Sequence, residues 1–318
     1  MSALTYEVKD RQSPVAAWLS ATFPYHKEIQ AEFRSAAGPQ QVLMPAGVAP
    51  GTQGAAIDFW LRMQVDPMPS IALPLVGLLS RRAPCLRAGQ ELLGELAAGE
   101  SPRRTHEGGV ELRMRPSDFG DRDDEWWARV CYALALLVEL YRAAAVEHSR
   151  LMALDARSSA ADLLGLANDA EVADLIQMRD LAAERLLPAL PAGPIATGMT
   201  FDGSADLNAD ADLIAGGMLV DFKAGQGGKP RADGTRAASL GRTDLDQLLG
   251  YALMDYSDQY GIDTVGLFAV RFGYLSAWPL AELIERMAGR QIDLADLRSR
   301  FAYVLQEELP PHQARRGW

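Results

Sequence analysis

Cysteine is nearly absent. Only Cys85 and Cys131 occur in 318 residues, far apart and without CxxC spacing. That excludes a disulfide framework and a zinc cage, and makes a reducing cytoplasm the expected compartment. Histidine is scarce as well. His26, His106, His148 and His312 are scattered with no HExxH, so a zincin-type site is excluded. No GxSxG elbow, Rossmann glycine fingerprint or zinc-finger spacing is present, and no GK[ST] follows Gly51 and Gly54. Long uncharged apolar runs are missing too. The most apolar long segment, 126–146, contains Arg129, Glu139 and Arg142, so it reads as a buried helix and no membrane association is expected. The first residues, MSALTYEVKDRQSP, lack the basic start and apolar run of a signal peptide. Cations are in deficit, with a formal net charge of −11. A protein that coats nucleic acid non-specifically is thereby excluded, because such binding is driven by neutralising phosphates. A nuclease is not, since a metal site needs carboxylates and a basic patch can sit within an acidic whole.

What is there suits a large folded chain. Hydrophobic residues make up 48% and charged residues 23%, enough core for one large domain or two ordinary ones. Residues 1–165 read as a mainly helical N-terminal region. Ser13 and Pro14 begin one helix as cap and first residue. A Gly/Pro-rich stretch, 38–54, leads into AAIDFWLRMQV, read as core. The longest helix is expected over about 124–154, with Trp126 and Trp127 as packing anchors. A helix over about 169–187 should stop at Pro188, with Val172, Leu175, Ile176, Ala182, Ala183 and Leu186 on its apolar face. After Pro194 the pattern turns to strands. Gly216-Gly217 between two apolar runs signals a hairpin. Thr243 is expected to cap a helix with Asp246 three residues on, ending near Gly261. VGLFAV, 265–270, reads as a buried strand that Tyr274–Trp278 joins, and helices at about 280–289 and 293–308 close the chain.

The hairpin carries the chemistry. With Gly216 and Gly217 as turn residues, Ala215 opposes Met218, Ile214 opposes Leu219, Leu213 opposes Val220 and Asp212 opposes Asp221. Opposed residues share a face, and period-two alternation adds Asp210 and Lys223 to it. Leu213, Val220 and Phe222 take the other, core-like face. Carboxylates directly across strands repel and raise one another's pKa unless a cation intervenes. A hard divalent cation would relieve them through oxygen ligands.

These residues resemble the PD-(D/E)XK nuclease superfamily, and ADADLIAGGMLVDFKAG is similar to its RecB-like branch. Asp212 matches the first acidic position and Asp221-Phe222-Lys223 the D-x-K strand. Gln247 and Tyr251 match the Q-x-x-x-Y pair of the following helix, and lie off the stripe Leu245, Leu248, Leu249, Ala252 and Tyr256. The resemblance covers about residues 170–280. It implies an α/β (α+β) fold, a mixed central sheet flanked by helices, in a nuclease-like domain over 166–318. It implies a Mg²⁺- or Mn²⁺-dependent phosphodiesterase acting on DNA, in repair or in defence against foreign DNA, as endo- or exonuclease. Asp212 and Asp221 would hold the metal, with the Phe222 carbonyl and an acid from the preceding helix, Glu184 or Asp180, as further ligands. Lys223 would assist the attacking water, and Gln247 and Tyr251 would position Lys223 or the backbone. Asp206 is an alternative to Asp212, and Asp210 an outer group or a solvated one. Lys229, Arg231, Arg236 and Arg242, against Asp233, form a positive, glycine-freed loop suited to phosphates. The acidic balance leaves room for a protein partner or homo-oligomer that supplies nucleic-acid affinity. The competing expectation is an inactive protein of the same fold that binds nucleic acid or a protein partner.

Overall fold

The computed structural model of the chain describes residues 3–80, 85–104, 110–142, 146–232 and 234–316. His106 and Asp233 lie outside them. The protein is mixed α/β and divides into two compact units, Met1–Gln41 with Pro188–Trp318, and Val42–Leu187. The division departs from a linear boundary at 165/166 at both ends. The first 41 residues join the C-terminal unit, and the helix over 169–185 joins the helical one.

Three helices open the chain: α1 (Ala3–Lys9), α2 (Pro14–Thr22) and α3 (Lys27–Ala36). Ser13 caps α2 as expected, its hydroxyl accepting from the Val15 amide at 3.2 Å. The helical unit follows, with α4 (Pro50–Val65), α5 (Ala72–Ser80), α6 (Leu86–Leu96), a two-residue ladder of β1 (Arg103–Arg104) and β2 (Val110–Glu111), α7 (Asp124–Arg142), α8 (Ala160–Leu164) and α9 (Asp169–Arg185). The long helix expected over 124–154 stops earlier, and 3₁₀ turns at Val146–His148 and Arg150–Ala153 take up its last part. Phe119 stacks on Trp126 at 5.5 Å, and Trp126 meets Trp127 edge-on at 4.8 Å, which fits packing anchors. Helix α9 belongs to this unit because its polar groups are answered there. Buried Glu171 accepts from the Tyr132 hydroxyl (3.0 Å) and from Arg150 (2.7 Å).

The sheet unit resumes with β3 (Ile195–Thr197), β4 (Leu213–Ala215), β5 (Met218–Lys223), α10 (Arg242–Met254), β6 (Thr264–Ala269), β7 (Tyr274–Pro279), α11 (Leu280–Ala288), α12 (Leu294–Tyr303) and α13 (Leu309–Arg315). The strand order is β3-β4-β5-β6-β7. Neighbours are antiparallel except β5 and β6, which run parallel with α10 as the crossover. The hairpin register is the one expected, Leu213 opposite Val220 and Ala215 opposite Met218. Gly216 and Gly217 have φ of 51° and 87°, the left-handed pair that a tight two-residue turn requires.

Helix α10 was expected to bury one stripe, yet every residue from Leu245 to Met254 is buried. The sheet covers one side through Ile214, Leu219, Val265 and Leu267. The N-terminal helices cover another, where Leu4 of α1 lies against Gly250 with no room for a Cβ (3.0 Å). Polar contacts anchor the same segment. Gln30 Nε2 donates to the Leu240 carbonyl (2.8 Å) and Arg242 to that of Leu19 (2.9 Å). The helix starts differently from expectation as well. Gly241 is its cap, Asp244 accepts from the Gly241 amide at 2.7 Å, and Asp246 instead pairs with Arg242 at 2.8 Å. It ends at Met254 rather than near Gly261.

No described helix is long and apolar enough to cross a membrane. Within the helical unit, α5 and α7 approach so closely that a Cβ on Gly77 would stand 2.0 Å from the Leu137 carbonyl oxygen, whereas one on Gly94 meets nothing within 4 Å. Gly77→Ala should therefore destabilise by about 1–3 kcal/mol through overpacking. Gly94→Ala should stabilise by about 0.5–1 kcal/mol through helix propensity. Urea unfolding of the two variants checks both signs.

Candidate active site

Strand β5 is buried on both faces through Asp221. Its face toward α10 carries Leu219, then Asp221, then Lys223. The acidic end of the hairpin is thus the continuation of a hydrophobic face, not a solvated edge. Asp221 is 3% exposed. Asp212 lies one residue before β4, where the ladder to β5 has ended. Its carboxylate reaches across and accepts from the Phe222 amide at 2.7 Å. The ladder stops at Leu213 and Val220, short of the expected pairing of Asp212 with Asp221, and a side-chain-to-backbone bond to Phe222 holds Asp212 beside β5 instead.

Lys223 is the centre of the cluster. Its Nζ lies 2.7 Å from Asp221 Oδ2, donates to Gln247 Oε1 at 3.0 Å, and stands 4.0 Å from Asp244 Oδ1. Gln247 Nε2 in turn donates to the Tyr251 hydroxyl at 2.6 Å. With both ends of its amide engaged, Gln247 cannot flip without losing a bond, so it fixes where the lysine head sits. Phe201 stacks on Tyr251 at 5.9 Å and completes the wall. Although the ammonium is close, no donor is aligned for a hydrogen bond on buried Asp221 Oδ2.

The charge balance is unequal, with one ammonium among Asp212, Asp221 and Asp244. Burial, then Asp212 and Asp244, push the Asp221 carboxyl up to about 7 against the pull of Lys223. Burial opposes the charge on Lys223, but Asp221, Asp244 and Asp212 outweigh it and hold the ammonium charged beyond its ordinary range. Burial, followed by Asp221 and Asp212, keeps the Tyr251 phenol neutral well past its usual pKa. Burial and the neighbouring carboxylates thus favour the protonated form of Asp221.

The other residues singled out from sequence have partners of their own. Asp206 is exposed and accepts from Gln306 (2.9 Å) and Tyr256 (3.3 Å), away from the Lys223 network. Asp210 is half-buried, near enough to Tyr251 to act on its phenol. Glu184 and Asp180 belong to the helical unit, are exposed, and pair with Arg185 (3.1 Å) and Arg179 (2.9 Å). Phe222 meets the site through its amide. In the loop after β5, Arg236 donates to the Gly228 carbonyl (2.7 Å) and Arg242 pairs with Asp246, which leaves Lys229 and Arg231 exposed. Contrary to the freedom its glycines suggest, that loop is bonded to itself, Gly228 N to Ala237 O (2.9 Å) and Arg231 N to Thr235 O (2.7 Å).

Two residues of the site escape a reading based on the hairpin. Asp244 had a signal, because 244, 247 and 251 are spaced i, i+3, i+7 and share one helical face. Arg271 had none. It is fully buried, and its Nε donates to the Ala224 carbonyl at 2.9 Å, fixing the chain as it leaves Lys223.

Among the described residues no group of three or more His, Cys, Asp or Glu side chains is close enough to hold a metal ion. The cluster offers two carboxylates, Asp212 and Asp221. That number suits Mg²⁺, which commonly takes one or two carboxylates and completes its shell with water and phosphate oxygens. The unaligned, buried Oδ2 of Asp221 fits such a ligand. Comparison with family models, curated proteins and solved structures returned no match, so function is argued from the residues.

A carboxyl raised by folding favours the native state when protonated, and that contribution is lost as pH rises through about 7. Without divalent ions, Asp221→Asn should therefore gain stability relative to the parent protein as pH goes from 5 to 8, read from thermal unfolding. Mn²⁺ should bind more tightly across the same range and release a proton, measurable by calorimetry in buffers of different ionisation enthalpy.

Proposed function

We propose that this chain is a Mg²⁺- or Mn²⁺-dependent nuclease that hydrolyses phosphodiester bonds of DNA. The observation that carries this is the joining of Asp212, Asp221, Lys223, Gln247 and Tyr251 into one network at the end of a glycine-turned hairpin. These are the residues that the PD-(D/E)XK resemblance picks out. The strand order supports it too, since an antiparallel hairpin followed by a helix and a strand parallel to β5 agrees with the restriction-endonuclease-like core that resemblance implies.

A cation held by Asp212 and Asp221 would polarise a phosphoryl oxygen and ease loss of a proton from the attacking water. The protein groups do the rest. Asp212, tied to the Phe222 amide, keeps its carboxylate facing β5. Lys223, seated between Asp221 and Gln247, would set its charge beside the phosphate, where negative charge grows in the transition state. Gln247 fixes one side of that ammonium. Tyr251, kept neutral, holds Gln247.

Incubation of the protein with single- and double-stranded DNA, with and without Mg²⁺ or Mn²⁺, tests this. Metal-dependent cleavage is expected, reduced at least a hundredfold in Asp221→Ala and in Lys223→Ala, and unchanged in Asp206→Ala and Glu184→Ala. Cleavage that persists in the first two variants would contradict the assignment. Binding of DNA without cleavage under any metal would favour a non-catalytic member of the same fold.

A further inference from the structure

The helical unit holds a cavity that has no part in the chemistry above. It spans about 470 Å³, within the size range of small-molecule sites, and its lining lies wholly in that unit. Val48, Ala49 and Leu136 supply apolar lining, and Thr52, Glu139, Ser149 and Arg150 polar lining. Glu139, half-buried on α7, has no counterion among the described residues. Its Oε1 accepts from the Thr52 hydroxyl of α4, and its Oε2 from Ser149 Oγ at 2.9 Å. Hydroxyls from two separate segments thus fix the carboxylate without neutralising it. A carboxylate offers about four acceptor positions, so about two stay open.

Arg150 is the cation of the same cavity. Its Nη1 donates to the Leu166 carbonyl (3.0 Å) and to buried Glu171 (2.7 Å), and its guanidinium lies over the Tyr132 ring at 5.7 Å. Glu171 therefore answers its charge from inside the fold. Nε and Nη2 have no partner among the described residues. These two nitrogens form the paired edge with which a guanidinium holds an acceptor group. Burial opposes the Arg150 charge, but Glu171, Tyr132 and Glu139 outweigh it. Glu139 is thus close enough to be felt without forming an ion pair.

The charges select the ligand. Glu171 and Arg150 balance, which leaves the negative charge of Glu139 in excess, and a half-buried carboxylate without a cation is costly. A bare anion would be repelled by Glu139. A bare amine would leave the Arg150 edge without an acceptor. A metal ion would find a single free carboxylate, and no described group of three or more His, Cys, Asp or Glu side chains could hold it. What fits is one positive charge beside a neutral oxygen acceptor.

We infer that this cavity binds an aminoacyl group, with its ammonium on Glu139 and its uncharged carbonyl oxygen on the Nε–Nη2 edge of Arg150. Val48, Ala49 and Leu136 receive its side chain. The inference does not depend on the nuclease assignment.

The test is calorimetric titration of the full chain, at neutral pH, with the amides of L-leucine, L-alanine and L-phenylalanine. At least one should bind. Acetylating that amide removes the ammonium, and the amine lacking the carbonyl group removes the acceptor. Each change should weaken binding at least tenfold. The free amino acid, which adds a negative charge beside Glu139 and Glu171, should also bind more weakly. A tripeptide amide with the same first residue separates the sources of the group, since equal affinity places it at a peptide N-terminus and lost affinity on a small aminoacyl compound. Glu139→Gln should weaken binding at least tenfold. So should Arg150→Lys, which keeps a charge beside Glu171 but loses the paired edge. Ala49→Trp fills the cavity from an exposed position and should abolish binding, which keeps the inference testable if Arg150→Lys fails to fold. No binding of any of the three amides would overturn the inference. So would an amine or an acetylated amide that binds as tightly as the amide, or unchanged affinity in the variants.

Discussion

One buried ion pair organises the candidate site. Asp221 and Lys223 face each other at 2.7 Å at the end of a strand that is buried on both faces as far as Asp221, and Asp212 and Asp244 add negative charge beside them. Burying a charge costs several kcal/mol unless it is fully paired. A structural pair would tend toward neutrality, with every oxygen satisfied. This one gathers Asp221, Asp212 and Asp244 around the Lys223 ammonium. The surroundings concentrate the imbalance, because Gln247 and Tyr251 lock the lysine on one side and Asp212 is tied to the backbone on the other.

The fold exists around that cluster in a specific sense. Helix α10 is the crossover between parallel strands β5 and β6, and its buried side brings Asp244, Gln247 and Tyr251 over the end of β5. Helix α1, drawn from the other end of the chain, packs on α10 together with α12, whose Arg298 donates to the Ala252 carbonyl. Leu4 against Gly250 and Gln30 on Leu240 are contacts between residues more than 200 positions apart. The N-terminal segment is therefore part of the unit that holds the site.

Much of the hairpin was legible in the sequence. Two adjacent glycines between apolar runs set the turn, the turn sets the register, and the register decides which acids share a face. Gln247 and Tyr251 followed from the resemblance, whose Q-x-x-x-Y pair they match. The burial of α10 on all sides was not legible, since a local pattern reports which face is apolar and not what distant segment will cover the rest. The assignment of α1–α3 and of α9 to their units failed to show for the same reason. Helix caps were partly hidden too, because Thr243 and Asp246 have the right spacing for a capping box, but Gly241 with Asp244 has it as well and only the backbone conformation decides. Glu184 and Asp180 illustrate the limit of charge patterns. An acid on a helix flank has no address, and here both pair with neighbouring arginines.

The central proposal is that the carboxylates of Asp212 and Asp221 share one divalent cation. Anomalous diffraction from crystals soaked in Mn²⁺ at pH 8 tests it most directly. The account predicts one manganese peak shared by the carboxylates of Asp212 and Asp221, with the Lys223 ammonium moved off Asp221 and still bonded to Gln247. Crystals with no peak there, and with Lys223 still seated on Asp221 at saturating Mn²⁺, would contradict it.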